Sequence, residues 1–186
     1  MSKKKYIGIL GGTFDPPHLG HIYISRLGLI KLNLDEIWWI VTKQNPFKEP
    51  SKKIELRYNS VYKLLKNKKI KLVKIPIKET FYTVSSIKYL KKKYPHYGFL
   101  WMMGIDNVEK FHLWKEWRKI FSSIPIAIFD RPFYSFTLYK SKALSFYRGR
   151  RIKIKQAKIL KLLTPPKWIF LTGFYHSLSS SKLRMK

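Results

Sequence analysis

A chain of 186 residues and 22.3 kDa, 45% hydrophobic and 16% aromatic, is long enough to bury a core and too apolar to remain disordered. It contains no cysteine, which excludes disulfides, thiolate metal sites and cysteine nucleophiles. Its formal charge of +29, from 39 Lys and Arg against 10 Asp and Glu, suits a phosphate-rich partner, and equally suits lysines scattered over solvated faces, so charge alone decides nothing.

The basic start at residues 1–5 is followed by a short apolar run and then by glycines. That run is too short for a signal segment, and no stretch approaches the ~20 apolar residues of a membrane span. A soluble cytoplasmic protein with no membrane partner is expected. Residues 6–10 read as a first strand ending at Gly11 and Gly12. Leu19–Lys31 follows as a helix, with Ile22, Tyr23, Leu27 and Ile30 near helical spacing. Residues 36–42 are a buried second strand, continued by a polar, proline-punctuated loop over 43–50.

A helix is predicted over 52–66, carrying Ile54, Tyr58, Val61 and Leu65 on one face. A third strand spans 70–75, and Thr83 is placed to cap a helix over 84–93. A fourth strand, 99–103, runs into Gly104. Residues 107–121 read as helical in pieces and 124–129 as a fifth strand. Residues 136–163 read as basic and helical, 168–172 as a last strand, and 179–186 as the opening of a terminal helix. The alternation predicts an α/β chain, one Rossmann-like, doubly wound parallel sheet forming a single domain over 1–186. Its ligand belongs at the carboxyl ends of the strands, where the loops at Gly11, Lys43, Gly104 and Arg131 converge.

The first of those loops has its own physical logic. Gly11 and Gly12, just past a strand, let a phosphate approach bare backbone, and Thr13 adds a hydroxyl donor. Pro16 and Pro17 stiffen the entry to the helix. His18 and His21, three apart at the helix start, share one face beside the partial positive charge of the helix N-terminus.

Residues 11–21, GGTFDPPHLGH, resemble the signature of the HxGH nucleotidyltransferase superfamily, and the GGTFDP form is similar to the bacterial nicotinate-nucleotide adenylyltransferases. The resemblance implies an enzyme that joins ATP and nicotinate mononucleotide into deamido-NAD and pyrophosphate, with Mg2+ accompanying ATP. It implies catalytic roles for His18, His21 and Arg184, with His21 closest to the α-phosphate. Gly11, Gly12, Thr13 and Phe14 would meet the ATP phosphates. Met103-Gly104-Ile105-Asp106-Asn107 is similar to the family's MGxDN loop, implying adenine and ribose contacts at Gly104 and Asp106.

Leu178 to Arg184 is similar to the family's ISSTxIR segment, implying a triphosphate cradle at Ser179, Ser180 and Ser181; taken alone, it also reads as a serine-capped solvent helix. Asn45-Pro46-Phe47-Lys48 corresponds to a PxxxPHK-like loop, with Phe47 in place of the common His and Lys48 at the phosphates. Phe81-Tyr82-Thr83 resembles the family's SYT, implying that Thr83 holds the nicotinate carboxylate; a plain helix cap is the alternative. In the segment from Phe111 to Arg118, similar to F-x-x-W, Trp114 would stack on the pyridine ring, with core packing as its alternative. Arg131-Pro132-Phe133-Tyr134 is similar to R-x-P-G-Y, implying Arg131 at the nicotinate nucleotide, although Phe133 replaces the usual Gly.

Two other readings stay open. A sister transferase would use another phosphorylated acceptor such as phosphopantetheine. A basic nucleic-acid-binding domain would explain the charge, but no recognition helix, zinc finger or lysine stripe is visible and no nucleic-acid partner is expected. A homo-oligomer is compatible with the sequence.

Overall fold

The computed structural model describes residues 4–42, 52–80, 82–131 and 137–172. Six parallel strands form one sheet in the order β3-β2-β1-β4-β5-β6. They are β1 (Tyr6–Gly12), β2 (Glu36–Val41), β3 (Ile70–Leu72), β4 (Gly98–Gly104), β5 (Ile126–Phe129) and β6 (Trp168–Leu171). Strands β2 and β4 are apolar without alternation because both of their faces are covered, as expected of a parallel sheet flanked by helices.

One face packs Ile9, Trp38, Ile40, Trp101 and Met103 against Ile87 and Leu90 of α3 (Thr83–Lys93) and Ile120 and Phe121 of α4 (Trp117–Ser123). The other packs Leu10, Ile37, Trp39, Leu100 and Met102 against α1 (Leu19–Lys31), α2 (Ile54–Leu64) and the 3-10 helix Ile154–Leu162. Helix α1 lies unusually close to the sheet. A Cβ on Gly28 would stand 2.6 Å from Met102 Cε, and one on Gly8 2.5 Å from Met102 Sδ. Removing the Met102 side chain would cost about 2–5 kcal/mol, because its surroundings are already packed to contact.

The strand order reverses at β1, which lies between β2 and β4. That switch point opens a crevice at the carboxyl ends of β1 and β4, where an open α/β sheet takes its ligand. The doubly wound α/β architecture expected from the sequence is therefore present.

Three local expectations need correction. Thr83 is not the cap of α3 but its first residue; Tyr82, with extended backbone (φ −129°, ψ 137°), is the cap and makes no side-chain cap bond. Strand β3 stops at Leu72 instead of residue 75. The basic stretch 136–163 is not one helix: it holds α5 (Thr137–Lys140), α6 (Lys142–Phe146) and 3-10 turns at Arg148–Arg150 and Ile154–Leu162.

Ser141 explains the first break. Its hydroxyl accepts from Leu144 N–H at 3.3 Å and donates to the Val108 carbonyl at 3.0 Å, restarting the helix and anchoring it to the loop after β4. In the last turn, buried Ala157 and Leu160 are three apart, the spacing a 3-10 helix turns to one side. The terminal helix expected over 179–186 lies outside the described residues, and among the described ones no helix is long and apolar enough to cross a membrane.

Candidate functional site

The site begins where β1 ends. Gly11 passes so close to the Trp101 indole that a Cβ would stand 2.4 Å from its Cη2, so any larger residue would displace the turn or the tryptophan. The chain then turns through Phe14, whose φ of 48° puts a non-glycine residue in the left-handed region, at a cost of about 1–3 kcal/mol. Packing offsets that cost. The Phe14 ring is 1% exposed and stacks on Trp39, centroids 4.7 Å apart and planes 8° apart. Phe14 therefore faces the core with its ring, leaving its backbone as the part able to meet a phosphate.

His18 is the N-cap of α1, and the two histidines form a reciprocal capping box. The Nδ1 of His18 accepts from Gly20 N–H at 3.1 Å, and the Nδ1 of His21 accepts from His18 N–H at 3.2 Å. A neutral imidazole with its Nδ1 accepting carries its proton on Nε2, so both rings are fixed as Nε2–H donors. The rings lie 3.8 Å apart. His21 also meets Phe14 at 4.8 Å and the edge of Trp39 at 5.7 Å.

Two further bonds lock this turn: Trp39 Nε1–H donates to Ser25 Oγ, and Ser25 Oγ–H to the His21 carbonyl, each at 2.8 Å. Desolvation holds the His21 pKa well below its ordinary value, and the nearby His18 and Arg131 charges push the same way. His21 is thus a neutral donor at pH 7 that still keeps part of its surface accessible.

Arg131, at the end of β5, reaches the same space. Its guanidinium donates to Asp106 Oδ2 at 3.0 Å, and its own N–H bonds Asp130 Oδ1 at 2.8 Å. Asp106 curls back over the end of β4, where a Cβ on Gly104 would meet its Oδ1 at 2.4 Å. The loops after β1, β4 and β5 therefore converge.

Trp114 and Thr83 form a second group. Trp114 is half-buried, edge-on to Phe111 at 4.8 Å and to Trp101 at 6.4 Å. Trp101 thus touches both the Gly11 turn and the Trp114 ring, joining the two groups. Thr83 is half-buried at the start of α3. Lys48, Ser179, Ser180, Ser181 and Arg184 lie outside the described residues.

Arg57 is the residue that sequence reasoning missed. It is 2% exposed, and its guanidinium donates to the carbonyls of Thr13 and Thr42, both at 2.8 Å, and of Lys52 at 3.2 Å. Burial lowers its pKa, and the charge of buried Asp15 opposes that shift. It ties the turn after β1 to the end of β2 and the start of α2. The available signal was a cation on the apolar stripe of a helix, between Ile54 and Val61.

The arrangement offers neutral N–H donors, a helix N-terminus and a guanidinium around one crevice, a set suited to phosphate oxygens. Among the described residues no group of three or more His, Cys or acidic side chains is placed to hold a metal. A magnesium ion bound through the phosphates of a nucleotide needs no such cluster.

Residues 9–186 match the model of the family described as cytidylyltransferase-like. Curated relatives named "Probable nicotinate-nucleotide adenylyltransferase" include one from Ruegeria sp. (strain TM1040), 36% identical over 97% of this chain and 96% of its own. Another, from Bradyrhizobium sp. (strain ORS 278), is 37% identical over 96% of this chain and 94% of its own. Among solved structures, the Plasmodium falciparum nicotinic acid mononucleotide adenylyltransferase complexed with NaAD superposes with a TM-score of 0.70. It has 22% identity and covers 97% of this chain and 83% of that one, a likeness of fold.

Proposed function

Because the chain belongs to the cytidylyltransferase-like family, and within it to the nicotinate-nucleotide adenylyltransferases, we propose that it transfers the adenylyl group of ATP to nicotinate mononucleotide. The products are nicotinate adenine dinucleotide and pyrophosphate, a step of NAD biosynthesis. On this reading residues 1–186 act as one nucleotidyltransferase domain in the cytoplasm.

The observation that carries the proposal is the capping box of His18 and His21, which leaves two Nε2–H donors beside the N-terminus of α1. In the reaction a 5′-phosphate oxygen of nicotinate mononucleotide attacks the α-phosphorus of ATP. The bond from that phosphorus to the bridging oxygen breaks, and pyrophosphate leaves with the electron pair. The nucleophile is already anionic at neutral pH, so no general base is needed. Catalysis then consists of positioning and neutralising charge on the phosphates.

His21 donates to an α-phosphate oxygen, and His18 to a neighbouring phosphate oxygen. The N–H groups of Gly12 and Thr13 extend the cradle. Lys48 and Arg184 are assigned to the departing pyrophosphate. Asp106 orients Arg131 through their ion pair and takes the adenosine side, while Arg131 faces the acceptor phosphate. Trp114 stacks on the pyridine ring, and Thr83 meets its carboxylate.

Pyrophosphate release tests the proposal, with ATP and nicotinate mononucleotide, nicotinamide mononucleotide or phosphopantetheine in turn. Turnover fastest with nicotinate mononucleotide supports it; turnover with phosphopantetheine alone would make the chain a sister transferase.

A further inference from the structure

Lys115 directly follows Trp114, and its ammonium stands 4.5 Å from the centroid of the Tyr82 ring. Tyr82 is the cap residue of α3 and Thr83 its first helical residue. This one contact therefore ties the chain beside Trp114 to the chain beside Thr83. It also parks a positive charge on the ring of the residue that precedes Thr83.

Lys115 is exposed, and among the described residues it has no ion-pair partner. The adjacent carboxylate, Glu116, is paired with Lys119. The first turn of α3 carries no acidic side chain, and Tyr82 makes no side-chain cap bond. The Lys115 charge also helps hold the Glu116 carboxyl below its ordinary range, but the ion pair of that carboxylate is with Lys119, which leaves the Lys115 ammonium on the Tyr82 face.

Resting on the proposed nicotinate site, we propose that Lys115 is its specificity-determining residue, selecting a pyridine carboxylate over a carboxamide. With the ring on Trp114 and its substituent toward Thr83, the ammonium moves from the Tyr82 face onto the carboxylate. An ammonium gains far more from an ionised acceptor than from the carbonyl of a neutral amide. An exposed cation–aromatic contact is strong enough to pre-position the side chain and weak enough to yield. Holding the ammonium nearby beforehand reduces the ordering cost of binding.

The test compares wild type, Lys115→Met and Lys115→Arg by kcat/KM with nicotinate mononucleotide and with nicotinamide mononucleotide, at low and high salt. Methionine keeps an apolar stem against Tyr82 and removes the charge. The expected result is that K115M loses about tenfold in kcat/KM for the nicotinate nucleotide, with nicotinamide turnover and the KM for ATP unchanged. K115R keeps the wild-type ratio within about threefold. Rising salt lowers the ratio for wild type and leaves that of K115M flat.

An equal loss with both nucleotides, or an unchanged ratio, would overturn the assignment of Lys115 while leaving the proposed function intact. A wild-type chain that makes no dinucleotide from either pyridine nucleotide would instead remove the function on which the assignment rests.

Discussion

The imidazoles of His18 and His21 lie 3.8 Å apart, and the backbone N–H of His18 donates to the Nδ1 of His21. The bond that starts helix α1 is therefore the same bond that sets the His21 tautomer. Structure and chemistry at this position can be separated by choosing which ring nitrogen a substitution imitates.

Asparagine places an oxygen near the Nδ1 position and nothing at Nε2; glutamine reaches toward Nε2 with an N–H donor. His21→Asn is expected to keep the helix start and to lower kcat by about 10²–10³-fold, the usual cost of losing one preorganised donor. The KM for ATP should change by less than about threefold, because the bond is worth most in the transition state. His21→Gln should recover about tenfold of that loss. Steady-state kinetics in which only KM rises would contradict the assignment.

The same ring predicts a pH dependence of stability in the ligand-free protein. The His21 pKa is held below its ordinary value of 6.5, chiefly by desolvation. In the window below 6.5 the unfolded chain takes up a proton that the folded chain refuses, so stability falls as pH falls. Denaturant unfolding of wild type and His21→Asn between about pH 5.0 and 7.5 measures it. The difference in stability between the two proteins should change with pH below 6.5 and stay constant above it; a constant difference throughout would show that His21 does not titrate this way.

Arg57 supplies a third test. Its guanidinium satisfies three backbone carbonyls from three segments, so Arg57→Met leaves them without a donor and is expected to cost about 3–5 kcal/mol. Urea midpoints report that loss. Lysine keeps the charge but cannot span the three carbonyls with one planar group, so Arg57→Lys should remain folded. Its kcat is expected to fall about tenfold, through a displaced Thr13 turn. A folded Arg57→Lys with wild-type kcat would limit Arg57 to stability.

Much of this site was legible because its signal is local. Gly11 to His21 is a continuous run whose glycines, prolines and histidine spacing state a strand end, a turn and a helix start within a few residues. Arg57 was not legible, since its role exists only once the fold brings Thr13, Thr42 and Lys52 within reach of one side chain. The 136–163 stretch misled because its many lysines and arginines are good helix formers. The actual breaks depend on Ser141 meeting Val108 across the fold. Thr83 differed by one position because Tyr82 caps α3 with its backbone alone, which side-chain preferences do not reveal.

Trp114 tests the acceptor end. It is half-buried against Phe111 and Trp101, so part of its ring is already committed to packing and part remains available. Stacking on a flat heterocycle is worth about 1–3 kcal/mol by alanine substitution. Trp114→Ala should therefore raise the KM for nicotinate mononucleotide by about 5- to 150-fold, and Trp114→Phe by less. The KM for ATP should stay constant in both, and a parallel rise in the two constants would return Trp114 to a packing role.

The central claim is adenylyl transfer to a nicotinate nucleotide, and the most direct measurement is the initial rate of pyrophosphate release from ATP with each acceptor supplied alone. Stoichiometric nicotinate adenine dinucleotide and pyrophosphate are expected with nicotinate mononucleotide. A slower rate is expected with nicotinamide mononucleotide and none with phosphopantetheine. Pyrophosphate released at the same rate with and without nicotinate mononucleotide, or no dinucleotide formed, would contradict that claim.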